Sequence, residues 1–408
     1  MRIAMISEHA SPLAALGGVD AGGQNVHVAR LAAALTRRGH EVDVFTRRDH
    51  HYLPNRVSAP EGYRVLHVPV GPAHPLPKDD LLPYMGQFGE WLASHWMDSV
   101  APDVVHAHFW MSGVAALTAA RRLPRPLVVT YHALGTVKRR MQGEADTSPA
   151  ARIELERKVG LRAQRVIAQS ADEAGELCGY GISREQVNLV PSGVDIDVFT
   201  PGPAAGPEEP KMQGRQRILA VGRMVERKGF ADVVRALPSL PAAEYVVAGG
   251  PWGYPIKEDT VAKSITDLAC ALGVADRVRL LGSVPTEQMP GWYRSADVVA
   301  CTPVYEPFGI TPLEAMACGT PVVAYRLGGL QDTVVDGRTG LLVPPEDIDE
   351  LARALGSLLD DAQRRRSLGE AARKRVVQHY PWSRIAERME KVYSQAIAAL
   401  PLPVPALV

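Results

Sequence analysis

The sequence predicts an α/β protein made of two doubly wound, Rossmann-like domains that face a central cleft. Three observations predict it. Short β-branched runs ending in Gly, Ser, His or Asp alternate with helix-like segments along the chain. That alternation is interrupted once, by a stretch rich in Pro, Gly and Glu. And 408 residues exceed one ordinary hydrophobic core.

The first-half strands are expected at Ile3–Ser7, Val42–Thr46, Tyr63–Pro69, Val104–His108, Leu127–Thr130, Arg165–Ala168 and Val187–Val190, with amphipathic helical stretches such as Gln24–Arg38 and Arg152–Leu161 between them. The alternation restarts with strands at Ile218–Val221, Tyr245–Ala248, Val278–Leu281, Val298–Cys301, Pro321–Tyr325 and Gly340–Val343. Helices fit at Phe230–Leu237, Asp259–Leu272 and Leu313–Cys318. The expected domains are 1–198, a linker over 199–214, 215–380, a helix over 381–399 that packs back on the first domain, and a flexible Pro-rich tail over 400–408. Sheets of this kind bind ligands at the carboxyl ends of their strands, which directs attention to the loops there.

Composition narrows the function classes. Lys plus Arg equals Asp plus Glu, 45 each, so no global charge draws the chain to nucleic acid or an anionic membrane. No apolar run spans a bilayer, and the chain opens directly on a strand without a leader pattern, so a cytoplasmic protein is expected. The four cysteines lack metal-ligand spacing and read as small buried hydrophobes of a reducing compartment. Oligomeric state is left open, a homodimer included.

Two segments of the second half carry chemistry. Val221-Gly222-Arg223 ends a strand and Lys228-Gly229 follows, so two cations can grip one diphosphate, although a solvated basic turn reads the same way. After another strand comes Glu306-Pro307-Phe308-Gly309-Ile310-Thr311-Pro312-Leu313-Glu314. Thr311-Pro312 is expected to open a helix as N-cap and first position, exposing backbone N–H groups to an anion. Glu314 then falls at the third helical position, where a capping box with Thr311 competes with ribose binding. Glu306 lies outside any helix and is placed to accept hydrogen bonds from sugar hydroxyls.

This ordered set resembles the retaining nucleotide-sugar glycosyltransferases of family four, which have the GT-B architecture. Gly17–Asn25, Pro191–Asp195, Gly249-Gly250-Pro251, Gly328-Gly329 and Asp336–Gly340 extend the resemblance over nearly the whole chain. It implies that Arg223 and Lys228 hold the donor diphosphate, helped by the backbone at Gly22, Gly23, Phe308, Gly309, Ile310 and Thr311. It further implies that Glu314 binds the ribose, Glu306 the transferred sugar, and that Val284 borders the base. His132 matches a family histidine set against the donor sugar; partnering a backbone carbonyl is its other reading. Arg223, Lys228, Glu306 and His132 are the implied catalytic residues. The family route is a front-side displacement in which the departing diphosphate takes the acceptor proton. No metal or other cofactor is expected, and the strings Asp195-Ile196-Asp197 and Asp347-Ile348-Asp349 read as structural.

Within the family the chain is most similar to actinobacterial D-inositol 3-phosphate glycosyltransferases and to sucrose-phosphate synthases. Of the inositol phosphate enzymes' acceptor residues, Asn25, Lys78 and Arg152 match. Phe109 stands in place of a tyrosine and Ala133 in place of a threonine, which removes two hydroxyls worth about 1 kcal/mol each around a phosphate. Lys138, Arg139 and Arg140 are candidates to replace them. The expected function is transfer of a hexose or N-acetylhexosamine from a UDP-linked donor to a small polar acceptor, such as a sugar phosphate, inositol phosphate or cyclitol. A non-catalytic sugar-nucleotide binder and a transferase acting on a lipid-linked acceptor are the alternatives. A nucleotide-sugar epimerase is a further enzymatic rival. A dehydrogenase is disfavoured because the glycines after the first strand lack the dinucleotide fingerprint.

Overall fold

β1 (Arg2–Ile6) sits inside an eight-stranded sheet with β2 (Glu41–Arg47), β3 (Arg56–Ser58), β4 (Arg64–Val68), β5 (Val104–His108), β6 (Leu127–Thr130), β7 (Arg165–Ala168) and β8 (Val187–Leu189). The strand order is β3-β4-β2-β1-β5-β6-β7-β8, parallel except for β3, which runs antiparallel to β4 at the edge. The computed structural model describes residues 1–14, 22–203, 211–250 and 255–400. Helices α1 (Gly23–Arg37), α2 (Met85–Met97), α3 (Trp110–Ala120), α4 (Gly135–Gln142), α5 (Arg152–Arg162) and α6 (Ala171–Gly179) make the crossovers. Central strands such as Leu127–Thr130 are buried throughout because both faces of a parallel sheet are covered.

A second unit repeats the plan with β9 (Gln216–Val221), β10 (Ala243–Ala248), β11 (Val278–Gly282), β12 (Val298–Cys301), β13 (Val322–Tyr325) and β14 (Gly340–Val343), all parallel, in the order β11-β10-β9-β12-β13-β14. Its helices are α7 (Phe230–Ala236), α8 (Thr260–Ala271), α9 (Met289–Ser295), α10 (Ile310–Ala317), α11 (Leu330–Thr333), α12 (Ile348–Leu359) and α13 (Ala362–His379). Asp259, Asp347 and Asp361 cap α8, α12 and α13 by accepting backbone N–H groups of the first turn. Asp195 accepts the N–H groups of Asp197 and Val198 in a local turn. The leading carboxylates of both Asp-x-Asp strings are thus bound to backbone. Among the described residues no helix is long and apolar enough to cross a membrane.

The division of the chain differs from the sequence expectation. The second unit runs from Ser192 to Pro381, not from 215. Val194 pairs with Pro381, and Phe199 is buried against Tyr293, so the residues before the proline-rich stretch already belong to the second core. Residues 204–210, the centre of the expected linker, lie outside the described residues, as do Gly17–Ala21 of the first glycine motif, Pro251 and the tail 401–408. The cysteines also depart in part from expectation. Cys301 and Cys318 are buried and their thiols are pushed up to about 12 by burial, but Cys270 is exposed and Cys178 half-buried.

After α13 the chain re-enters the first unit as α14 (Trp382–Ala398). Trp382, Ile385, Met389 and Tyr393 recur at helical spacing and pack with Leu31 and Leu35 of α1 over β1 and β5. Trp382 also meets the His27 ring edge-on at 5.4 Å. Trp382→Ala should therefore lower the unfolding free energy of this unit by about 3–5 kcal/mol, read as a fall in denaturant midpoint; an unchanged midpoint would show that α14 is dispensable to this core.

Candidate active site

The donor-side residues of the second unit emerge from the carboxyl ends of neighbouring strands. β9 and β12 pair in parallel, so the loop Gly222–Gly229 and the loop that begins at Thr302 start side by side. They are stitched together: the Val304 N–H donates to the Arg227 carbonyl at 2.8 Å, and the Thr302 hydroxyl to the Gly229 carbonyl at 2.8 Å. Gly229, with φ 66°, is obligatory, because a Cβ there would lie 1.7 Å from the Thr302 carbonyl oxygen.

This stitching brings Lys228 Nζ to 2.5 Å from Glu306 Oε2. Burial pushes the Glu306 carboxyl upward, but Lys228, the Arg227 charge and the Gly309 N–H outweigh it and hold the group below the usual range. Glu306 is therefore ionised at neutral pH. Arg223 lies exposed in the same loop as Lys228. Gly328 and Gly329 let the loop after β13 close on this segment, since a Cβ on Gly329 would sit 2.4 Å from Phe308 Cα. Val284 is half-buried, two positions past Gly282, the end of β11.

The helix behind Glu306 starts earlier than the sequence suggests. Its N-cap is Gly309, at φ 85°, and Ile310 is its first residue. The expected capping box is absent: Thr311 is the second helical residue and its hydroxyl donates to the Val221 carbonyl at 3.4 Å. Pro312 is tolerated because its missing N–H lies in the first turn. Ile310 and Thr311 thus present N–H groups without intrahelical acceptors beside the Lys228–Glu306 pair. Glu314 falls in the second turn and accepts the Tyr293 hydroxyl at 2.7 Å. Tyr293 is buried, and burial together with Glu314 pushes its phenol well up, so it stays a donor. Nothing in the sequence ties Tyr293 to Glu314; only the packing of α9 on α10 does.

In the first unit, the expected acceptor residues separate into two groups. Asn25 is buried near the start of α1, where its side chain accepts the Gly22 N–H at 3.0 Å and donates to the Ser11 carbonyl at 2.9 Å. It anchors the Gly22-Gly23 turn. Lys78 opens a single 3-10 turn, Lys78–Asp80.

Phe109, Ala133 and Arg152 form the second group, but Arg152 is not an open anion receptor. It is 2% exposed; its Nε meets Glu156 Oε1 at 2.7 Å, Nη1 donates to Ser148 at 3.0 Å and Nη2 to the Ala133 carbonyl at 2.6 Å. Its Cζ lies 5.2 Å from the Phe109 ring centroid. Glu156 Oε2 in turn accepts the Gly135 N–H and the Tyr180 hydroxyl. Lys138 pairs with Asp146 at 2.9 Å and Arg140 with Glu176 at 2.6 Å, while Arg139 remains near Asp146 at 3.9 Å. The three candidate replacement cations thus each have a carboxylate partner.

His132 follows β6 in a left-handed conformation, φ 61°, and its Nε2 is 3.0 Å from Nδ1 of buried His108. Among the described residues its side-chain partners are thus a second histidine and Gln169, not a backbone carbonyl. Glu8 and His9, which sequence reasoning passed over, also sit here: His9 Nδ1 is 2.8 Å from Glu8 Oε1 and its ring lies edge-on to Phe109 at 4.9 Å.

Two parallel α/β units with charged loops at their strand ends define the class of protein, and comparison with known proteins agrees. A family model described as "Glycosyltransferase Family 4" matches residues 21–198, and one described as "Glycosyl transferases group 1" matches residues 206–375. The D-inositol 3-phosphate glycosyltransferase of Xylanimonas cellulosilytica is 39% identical over 98% of this chain and 98% of that one. Among solved structures, the sucrose-phosphate synthase of Thermosynechococcus elongatus has a TM-score of 0.87 at 32% identity, covering 98% of this chain and 99% of its own. Anabaena HepE, solved in complex with UDP-glucose, shares the fold with a TM-score of 0.73 at 21% identity, over 97% of this chain and 99% of that one. The chain belongs to the family-four glycosyltransferases and has the GT-B fold.

Removing Arg152 would strand Glu156 as a buried, unmatched charge. Arg152→Ala should cost about 3–5 kcal/mol of stability, measured by denaturant unfolding. A stability loss below 1 kcal/mol would show that the guanidinium is not a structural member of this network.

Proposed function

We propose that this chain transfers a hexose or N-acetylhexosamine from a UDP-linked sugar to a hydroxyl of a small polar acceptor, with retention of anomeric configuration. The observation that carries the reading is the Lys228–Glu306 pair beside the first turn of α10. A cation, an ionised carboxylate and unpaired N–H groups together suit a sugar diphosphate, whose phosphates need positive charge and whose hydroxyls need an acceptor. The D-inositol 3-phosphate glycosyltransferase and the UDP-glucose complex of HepE support the same chemistry by their names.

In this reading Arg223 and Lys228 hold the diphosphate and stabilise the charge that grows on it as the glycosidic bond breaks. Glu306 orients Lys228 and accepts hydrogen bonds from the transferred sugar. Glu314, oriented by Tyr293, takes the ribose, and Val284 borders the base. The leaving diphosphate accepts the proton of the attacking hydroxyl, so no separate carboxylate nucleophile is required. The charge is met by the two cations, and the reading calls on no resident metal.

Incubation with labelled UDP-glucose or UDP-N-acetylglucosamine should release UDP only when a suitable acceptor is present. Tight UDP binding without any turnover, even slow hydrolysis, would favour a non-catalytic sugar-nucleotide binder. Lys228→Ala should lower turnover roughly a hundredfold or more, and near-normal turnover would overturn the leaving-group role. For the acceptor, a sugar phosphate, inositol phosphate or cyclitol fits. Phe109 and Ala133 offer no hydroxyl and Arg152 is matched by Glu156, so a phosphate contributes less here than in the inositol phosphate enzymes. A polyol and its phosphate ester should be used with kcat/KM values within about tenfold of each other, about 1.4 kcal/mol. A preference beyond a hundredfold for the ester would overturn this.

A further inference from the structure

Four histidines of the first unit cluster at the ends of β5 and β6 and beside them: His27, His106, His108 and His132. The family resemblance implicates only His132, set against the donor sugar, and the others ask for a purpose. β5 and β6 are neighbours with His108 opposite Thr130. Just beyond the register, the Phe109 N–H donates to the Thr130 carbonyl at 2.8 Å. Each chain then takes a left-handed step at a residue other than glycine, Phe109 at φ 81° and His132 at φ 61°. Such conformations cost of order 1–3 kcal/mol each and persist only where the surroundings hold them.

The surroundings of His132 are specific. His108 is wholly buried, its ring lies nearly parallel to that of His132 at 5.3 Å, and its Nδ1 is 3.0 Å from His132 Nε2. The His106 ring lies against His108, tilted by 39° with centroids 4.0 Å apart, and is itself held between the Tyr393 and Thr130 hydroxyls at 2.8 Å each. Gln169, after β7, also hydrogen-bonds the His132 side chain. Burial lowers all four imidazoles, His27 to about 4, His106 to about 3, and His108 and His132 well below the usual value. The rings are therefore neutral at physiological pH, with one proton each.

Where the protons sit follows from one orphan atom. His108 Nε2 is buried and has no hydrogen-bond partner among the described residues. A buried N–H without an acceptor is rarer and costlier than an unused lone pair. The His108 proton therefore belongs on Nδ1, from which it donates to His132 Nε2. His132, receiving that bond on Nε2, must carry its own proton on Nδ1.

We propose that His108 is a positioning residue for His132: its Nδ1–H fixes the tautomer and ring plane of His132 and holds that residue in its left-handed backbone conformation. The consequence is chemical. With Nε2 occupied from below, His132 cannot give or take a proton through that atom, and its part in the reaction is that of a fixed neutral group. The inference rests on the reading that His132 faces the reacting substrate.

The experiment has two arms. Nitrogen-15 NMR of histidine-labelled full-length protein, with His132→Gln and His108→Gln used for assignment, should show both rings as neutral Nδ1–H tautomers. An Nε2–H tautomer or an imidazolium at His132 near neutral pH overturns the proposal without reference to activity. In the kinetic arm, His108→Phe keeps the packing but removes the donor. It should lower kcat by roughly tenfold to a hundredfold with the donor KM changed less than about twofold, and His108→Gln, which restores an N–H, should recover part of the loss. A His108→Phe protein with normal kcat overturns the positioning role. His132→Ala with normal turnover would instead remove His132 from the reaction, a separate failure that the NMR arm distinguishes from loss of the His108 bond.

Discussion

The second unit depends on one close approach: Gly229 pressed against the Thr302 carbonyl oxygen, where no other residue's Cβ would fit. Lys228 and Glu306 are separated by 78 residues, yet they meet because their strands pair and the loops that follow are sewn together. The same compaction draws Gly328-Gly329 onto the Glu306–Phe308 backbone. Close packing of three loops leaves little room for side chains to choose another rotamer. That rigidity lets a fixed dipole arrangement act without reorganising during reaction.

Cationic residues take two different roles in the two units. In the first, Arg152 is buried and electrically matched, with all three kinds of guanidinium nitrogen bonded to protein. Arg217 does the same in the second, with Glu244 at 2.6 Å and the Trp292 ring beneath it. Such pairs gain little over an apolar replacement but are costly to break on one side only. Lys228 differs. It remains 18% exposed and its partner Glu306 16% exposed, so the pair keeps contact with solvent and with whatever enters. Exposure, more than residue type, separates the cation of a site from the cation of a core.

Much of this was legible in the sequence, for a physical reason. Strands that are buried on both faces read as short apolar runs, and Val104–His108, Leu127–Thr130, Arg165–Ala168, Val298–Cys301 and Gly340–Val343 end where those runs end. β3 was not legible, because three residues of an exposed edge carry no burial pattern. The start of α10 was misread because Thr311-Pro312 obeys the capping rule, whereas Gly309 can take a left-handed cap that no side chain announces. The domain boundary was misplaced because Pro and Gly mark irregular chain, while Val194 and Phe199 decide membership by what they pack against. Lys228, Glu306 and Glu314 could be named from order and spacing. Tyr293, which bonds Glu314, Thr302, which bonds Gly229, and the Glu156 that neutralises Arg152 are set by tertiary contact alone.

The state of the Lys228–Glu306 pair also bears on how a donor would be recognised. A cation bonded to a carboxylate at 2.5 Å offers a diphosphate less attraction than a lone cation. The carboxylate nonetheless serves two ends. It keeps Lys228 aimed, and on the proposed reading it would supply an acceptor for sugar hydroxyls that a bare phosphate would leave unused. Inorganic phosphate or a nucleotide without a sugar would weaken the Lys228–Glu306 bond and give Glu306 nothing in return. On the proposed reading a nucleotide-sugar would compensate both partners at once, the phosphate on Lys228 and the hydroxyls on Glu306. On that reading the pair would discriminate by leaving one half-buried group poorly satisfied unless the whole ligand is present, the kind of penalty by which a polar site rejects an incomplete ligand.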